Sequence, residues 1–139
     1  MKKVFIDTNV VLDLLAVREP HHLSAANLFS LIEKGQVEGY LSSLSFSHLA
    51  YILQRTEQRR GAIQLLQTLK PLVKVLPVTS RVIDLALASS FKDFEDAVQY
   101  YTALEGNVRV LITRNVRDFS HAEITVCSTE EYLKTIRLN

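Results

Sequence analysis

The feature that most constrains this chain is the alternation of short, β-rich apolar runs with longer stretches of helical period. Val4-Phe5-Ile6 is the first run, and it stops at a carboxylate, Asp7. From Asn9 onward, Val10, Val11, Leu14 and Leu15 follow helical spacing. Leu23, Ala26, Phe29 and Ile32 define a second helix, and Gly35 stands where a helix-ending glycine belongs. Val37 to Ser42 reads as a strand. Ser43 or Ser45 then caps a helix carrying Phe46, Leu49, Ile52 and Leu53, and Gln58 to Leu69 forms another, closed by Pro71. Val73 to Val78 alternates as a strand, with Pro77 marking a sheet edge. Thr79 or Ser80 opens the helix of Val82, Ile83, Leu85, Ala86 and Leu87. Asp93 opens the next, with Phe94, Ala97, Val98 and Tyr101 as its apolar stripe. Val108 to Ile112 is an apolar run suited to burial on both faces, and Ile124 to Cys127 is the last strand. Ser128 and Glu131 fit a capping box on the final helix. Short strands separated by one or two helices predict an α/β fold. The expected form is a three-layer sandwich with a central parallel sheet of four to five short strands flanked by helices.

Composition narrows the function classes. The chain has 139 residues, read as a single domain over 1–139, and is 47% hydrophobic and 22% charged, which suits a globular core. One cysteine, Cys127, excludes an internal disulfide, a Cys-x-x-Cys pair and a multi-cysteine zinc site; inside a strand it reads as a small buried hydrophobe. Lys and Arg total 16 against 15 for Asp and Glu, so any nucleic-acid contact is local and not a global basic footprint. The apolar run before Asp7 is too short for a signal peptide, and no stretch is long enough to span a membrane, so a cytoplasmic protein without membrane association is expected.

In parallel sheets, ligands bind beyond the carboxyl ends of the strands. Polar islands fall at those places: Asp7-Thr8-Asn9, Asp93-Phe94-Glu95-Asp96, and Thr113-Arg114-Asn115-Val116-Arg117-Asp118. If the strand ends converge, Asp7, Asp96 and Asp118 share a cleft. Two carboxylates about 5 Å apart repel by roughly 3 kcal/mol at an effective dielectric of 20, so one tends to protonate unless a cation is present. A hard divalent ion, Mg²⁺ or Mn²⁺, removes the conflict and suits in-line phosphoryl displacement. Taken singly the acids have plainer roles: Asp7 could cap the first helix, Asp93 caps the helix before Asp96, Glu95 faces solvent, and Asp118 shapes a turn.

With these three stretches the sequence resembles a PIN domain, the compact nuclease fold of VapC-type toxins and of many RNA-processing enzymes. The matching segments are Val4-Phe5-Ile6-Asp7-Thr8-Asn9-Val10, Asp93-Phe94-Glu95-Asp96-Ala97-Val98-Gln99-Tyr100, and Leu111-Ile112-Thr113-Arg114-Asn115-Val116-Arg117-Asp118-Phe119. The resemblance implies a Mg²⁺- or Mn²⁺-dependent endoribonuclease acting on single-stranded RNA, as the toxin of a toxin–antitoxin pair. It makes Asp7, Asp96 and Asp118 catalytic acids and metal ligands. Asp93, Thr113 and Asn115 become polar support, with Thr113 hydrogen-bonding an acid and Asn9 orienting Asp7. An antitoxin protein and a second copy of the chain, as a homodimer, are the expected partners.

The family usually places a Glu on the helix after the second strand. Here His48 stands there, either packed in the core or facing the cleft as a metal or water ligand. The substitution keeps open a second reading, a weakly active or inactive PIN-like module that binds RNA or protein. Arg114 and Arg117 flank the acidic island and would guide an RNA backbone, and Arg55, Arg59 and Arg60 form a second cluster that also fits a solvated surface. Tyr101 is assigned to the core and Tyr100 to the cleft or a partner, while His21 and His22 belong to a loop. A receiver domain fails because Thr79-Ser80 and Ser128-Thr129 occupy the positions of its acceptor Asp and its Lys. An Asp-x-Asp phosphatase fails at Asp7-Thr8-Asn9, and dinucleotide binding lacks its glycine turn.

Overall fold

The structure is a computed structural model that describes residues 2–119 and 122–138. Its sheet is built from β1 (Lys2–Ile6), β2 (Val37–Ser42), β3 (Val73–Leu76), β4 (Val110–Ile112) and β5 (Thr125–Cys127). All neighbours are parallel, in the order β3-β2-β1-β4-β5. The helices are α1 (Thr8–Leu15), α2 (His22–Glu33), α3 (Ser43–Leu53), α4 (Arg59–Leu69), α5 (Ser80–Ala88), α6 (Phe94–Glu105) and α7 (Thr129–Leu138).

Alternation along the central strands divides two apolar layers. Val4 and Ile6 of β1, Leu41 of β2 and Ile112 of β4 join residues of α1, α2, α3, α4 and α7 in one cluster. Phe5, Tyr40 and Leu111 face the other way, onto Tyr100 and Ala103 of α6. Helix α5 packs outside α6 through Val82 and Ala86 against Ala97 and Val98. Val4, Phe5, Ile6, Leu111 and Ile112 are fully buried, which explains why both central strands are apolar at every buried position.

The chain winds outward from β1 to β3, then returns beside β1 with β4 and continues to β5. The reversal lies between β1 and β4, the crevice where open α/β sheets bind ligands. It is closed at its carboxyl end by the Asp7 amide, which donates to the Ile112 carbonyl at 2.9 Å.

Several local expectations are corrected. Helix α3 is capped by neither Ser43 nor Ser45 but by Ser42, whose hydroxyl accepts from the Ser45 amide at 3.0 Å. β3 stops at Leu76 and β4 starts at Val110, so both are shorter than their apolar runs. Tyr100 is the core tyrosine: it is buried, and its hydroxyl accepts from the Glu123 amide at 2.9 Å, whereas Tyr101 is half-buried. Phe94 is not part of the buried stripe but 49% exposed, and Cys127 is only half-buried. Gly35 ends α2 as expected, with φ at 78°, a backbone region where only glycine is unstrained. The Ser128–Glu131 capping box is formed in both directions, at 2.9 and 3.1 Å.

Candidate active site

Asp7 leaves β1 in an extended conformation and occupies the cap position of α1, yet its side chain makes no capping hydrogen bond. It is turned into the crevice instead. Gln99 of α6 donates from Nε2 to Asp7 Oδ1 at 2.9 Å, and Thr113, just beyond β4, donates from Oγ1 to Oδ2 at 2.7 Å. The capping task passes to Gln99, whose Oε1 accepts from the Thr8 amide at 3.3 Å. Both carboxylate oxygens are thus fixed by side chains 92 and 106 residues distant, on two different elements.

Asp93 caps α6 as expected, its Oδ1 accepting from the Asp96 amide at 3.0 Å. Asp96 follows in the first turn and is 8% exposed. Burial pushes its carboxyl up to about 7, and the charges of Asp7, Asp93, Asp118 and Glu95 act in the same direction. Asp118 lies on an exposed 3₁₀ turn, Val116–Phe119, anchored by the buried Phe119. Its charge raises the Asp96 carboxyl, as that of Asp7 does.

The supporting positions divide. Thr113 is fully buried, and besides holding Asp7 it accepts from the Asn115 amide at 3.1 Å, which shapes the loop leading to Asp118. The Asn115 carbonyl in turn accepts from the Asp118 amide at 3.0 Å. Asn9 does not orient Asp7; its side-chain oxygen accepts from Arg18 Nη2 at 3.3 Å. Arg114 is not a simple rim cation, because its Nε lies 3.2 Å from Oδ2 of the buried Asp13. Arg18 approaches the other Asp13 oxygen at 3.3 Å, close enough for an ion pair but without hydrogen-bond alignment. Arg117 is exposed beside Asp118.

His48 is not a core residue. Its side chain is 37% exposed, and Nδ1 donates to Oε1 of Glu95 at 2.7 Å. Glu95 therefore does not simply face solvent: it turns towards α3 and lines, with His48 and Gln99, a groove between α3 and α6. His22 bonds the Asp13 carbonyl through Nδ1 at 3.1 Å, and His21 lies 4.0 Å from Glu130.

Three site residues escaped the reading of the sequence. Gln99 carried a signal, since it lies three positions after Asp96 and so on the same helical face. Asp13 carried one too, as a lone carboxylate within the apolar run of α1. Glu95 was visible but assigned outward.

Among the described residues, no three His, Cys, Asp or Glu side chains stand close enough together to hold a metal ion by themselves. The donor chemistry still fits a hard divalent cation. Mg²⁺ keeps several waters and takes only one or two carboxylates along with phosphate oxygens, so it requires no cage of three protein ligands. Asp7, fixed through both oxygens, and Asp96, buried beside it and pushed upward, form the oxygen pair such an ion would relieve.

A parallel sheet whose reversal point carries an aspartate fixed through both oxygens, with a second buried acid under its influence, defines a small α/β protein with a candidate acidic site. The chain belongs to the PIN domain family, whose sequence pattern matches residues 3–117. Ribonuclease VapC1 of Aquifex aeolicus (strain VF5) is 23% identical over 136 residues, covering 94% of this chain and 93% of the relative. The toxin–antitoxin complex from Klebsiella pneumoniae has a chain of the same fold, with a TM-score of 0.69 at 19% identity over 91% of this chain and 97% of that one. VapC20 of Mycobacterium tuberculosis, a sarcin-ricin loop cleaving toxin, matches with a TM-score of 0.67 at 18% identity, over 88% and 96% of the two chains. Among the described residues no helix is long and apolar enough to cross a membrane.

Proposed function

We propose that this protein is a Mg²⁺- or Mn²⁺-dependent endoribonuclease that hydrolyses phosphodiester bonds of single-stranded RNA, and that it is the toxin of a toxin–antitoxin pair. The observation that carries the reading is the fixation of Asp7 through both oxygens beside the buried Asp96. Membership of the PIN family and the ribonuclease and toxin relatives supply the substrate class. A divalent ion held by Asp7 and Asp96, with Asp118 adding negative charge nearby, would supply positive charge to the phosphate and lower the pKa of the attacking water.

The chain's own residues do the rest. Thr113 and Gln99 hold the Asp7 carboxylate in one orientation, so no reorganisation is needed when the phosphate arrives. Asp93 fixes the first turn of α6 and with it the direction of Asp96. Arg117, exposed beside Asp118, would draw the RNA backbone towards the acids, and Arg114 would contribute what charge Asp13 leaves uncompensated. Phosphate contacts, with no base reading at the acids themselves, would make binding weaken with salt.

A purely binding role was suggested by His48 in place of the usual Glu. Glu95 weakens that reading, because α6 brings a carboxylate against His48. The antitoxin partner follows from the toxin–antitoxin complexes of the same fold, and a homodimer in the cytoplasm completes the proposal. Cleavage of a single-stranded RNA and its duplex counterpart, with Mg²⁺, Mn²⁺ or chelator, tests it; equal cleavage of duplex DNA and single-stranded RNA, or activity in chelator, overturns it.

A further inference from the structure

The groove between α3 and α6 has a volume of about 420 Å³ and is walled mainly by apolar atoms. Its Tyr51 and Phe94 are 63% and 49% exposed, unusually open for aromatic side chains. Gln99 lines the groove and also donates to Asp7, so one side chain joins the groove to the carboxylate site. Ser45, another lining residue, lies 3.3 Å from the Thr8 hydroxyl on the same floor. At its side, His48 and Glu95 form the 2.7 Å pair. Arg55 stacks on the Tyr51 ring, its guanidinium carbon 4.8 Å from the ring centre, and donates to the Tyr51 hydroxyl at 2.9 Å.

We propose that this groove is a subsite for one unpaired nucleobase of the RNA, adjacent to the scissile phosphate. The inference rests on the ribonuclease reading above. A chain whose phosphate sits at Asp7 and Asp96 must place a neighbouring nucleoside beside them, and the groove takes Glu95 and Gln99 from the same stretch of α6. Tyr51 and Phe94 offer the aromatic faces on which single-stranded bases stack. Arg55 stiffens Tyr51 and supplies the cation that complements the next phosphate. Glu95 can only accept hydrogen bonds, so it can take a base edge that presents an N–H. An apolar side chain of a protein partner is the competing occupant. It has no use for the cation at Arg55 or for the acceptor at Glu95.

The test uses full-length Asp7→Asn protein and single-stranded RNA carrying 2-aminopurine at successive positions. Emission at one position should fall on binding as that base stacks, and Tyr51→Ala or Phe94→Ala should restore it. In the otherwise native enzyme, each of these substitutions should raise KM about 10-fold, with kcat changed less than twofold. Both side chains are exposed, so the melting temperature should stay within about 2 °C of the parent. RNA that binds and is cleaved with emission and KM indifferent to Tyr51 and Phe94 overturns the subsite and leaves the nuclease standing. RNA that neither binds nor is cleaved overturns both. A change of oligomeric state in Tyr51→Ala at constant KM assigns the groove to a protein interface and also overturns the subsite.

Discussion

Thr113 donates its hydroxyl to Asp7 at 2.7 Å across 106 residues of sequence, joining the ends of the two strands that meet at the sheet's reversal. The bond does two things: it orients the acid and ties the Asn115–Asp118 loop to the site. Thr113→Val keeps the shape and removes the donor. It should lower stability by about 1–3 kcal/mol, because a buried acceptor loses a partner. Cleavage should fall at least 10-fold, while Thr113→Ser should retain most of it. Equal loss in the Val and Ser variants would mean that the methyl, and not the hydroxyl, matters.

Asp96 gives the molecule a pH dependence whose direction follows from its carboxyl at about 7 against an ordinary 3.8. The folded chain holds a proton that the unfolded chain releases between those values. Stability of the metal-free protein therefore falls as pH rises from about 4 to about 7, by as much as about 4 kcal/mol. Denaturant unfolding at pH 5 and pH 8 should show the fall in native protein and lose most of it in Asp96→Asn. Mg²⁺ or Mn²⁺ should offset the fall at pH 8, since a cation favours the charged carboxylates.

Arg114 and Arg117 should separate in a way their sequence spacing hides. Arg117→Ala should leave the melting temperature unchanged and reduce the slope of log affinity against log salt by about 1. Arg114→Ala should also destabilise, since it leaves buried Asp13 with only Arg18. Asp13→Ala, which removes the buried charge itself and leaves two partly exposed arginines, should lower the melting temperature as well. Identical melting behaviour of the two arginine variants would contradict the Asp13 clamp.

His48→Glu should place a carboxylate against Glu95, where the histidine now donates at 2.7 Å. Both side chains are partly exposed, so solvent screening limits the metal-free loss to about 1 kcal/mol. A divalent cation should recover it and bind more tightly than in the native protein. Adding Glu95→Gln should remove the metal-free loss. Destabilisation of the same size in that background would mean that the pair is not its cause.

The sheet could be read from the chain because its central strands are buried on both faces, leaving uninterrupted apolar runs such as Val4-Phe5-Ile6. Val37–Ser42 matched in both bounds, and Asp93 capped the helix it was expected to cap. The tyrosines went astray because neighbouring helical positions point about 100° apart, so one step in phase exchanges core for edge. The partners of Gln99, Asp13 and His48 were hidden for another reason. They lie on other elements, and no local period records which distant side chain a residue will meet.

The most direct measurement is single-turnover cleavage of a single-stranded RNA by the native chain and by Asp7→Asn, each with Mn²⁺, with Mg²⁺ and with chelator. The native protein should cleave only with a divalent ion, and Asp7→Asn should lose at least 100-fold while remaining folded. Cleavage by Asp7→Asn at the native rate, or native cleavage undiminished by chelator, would contradict the account.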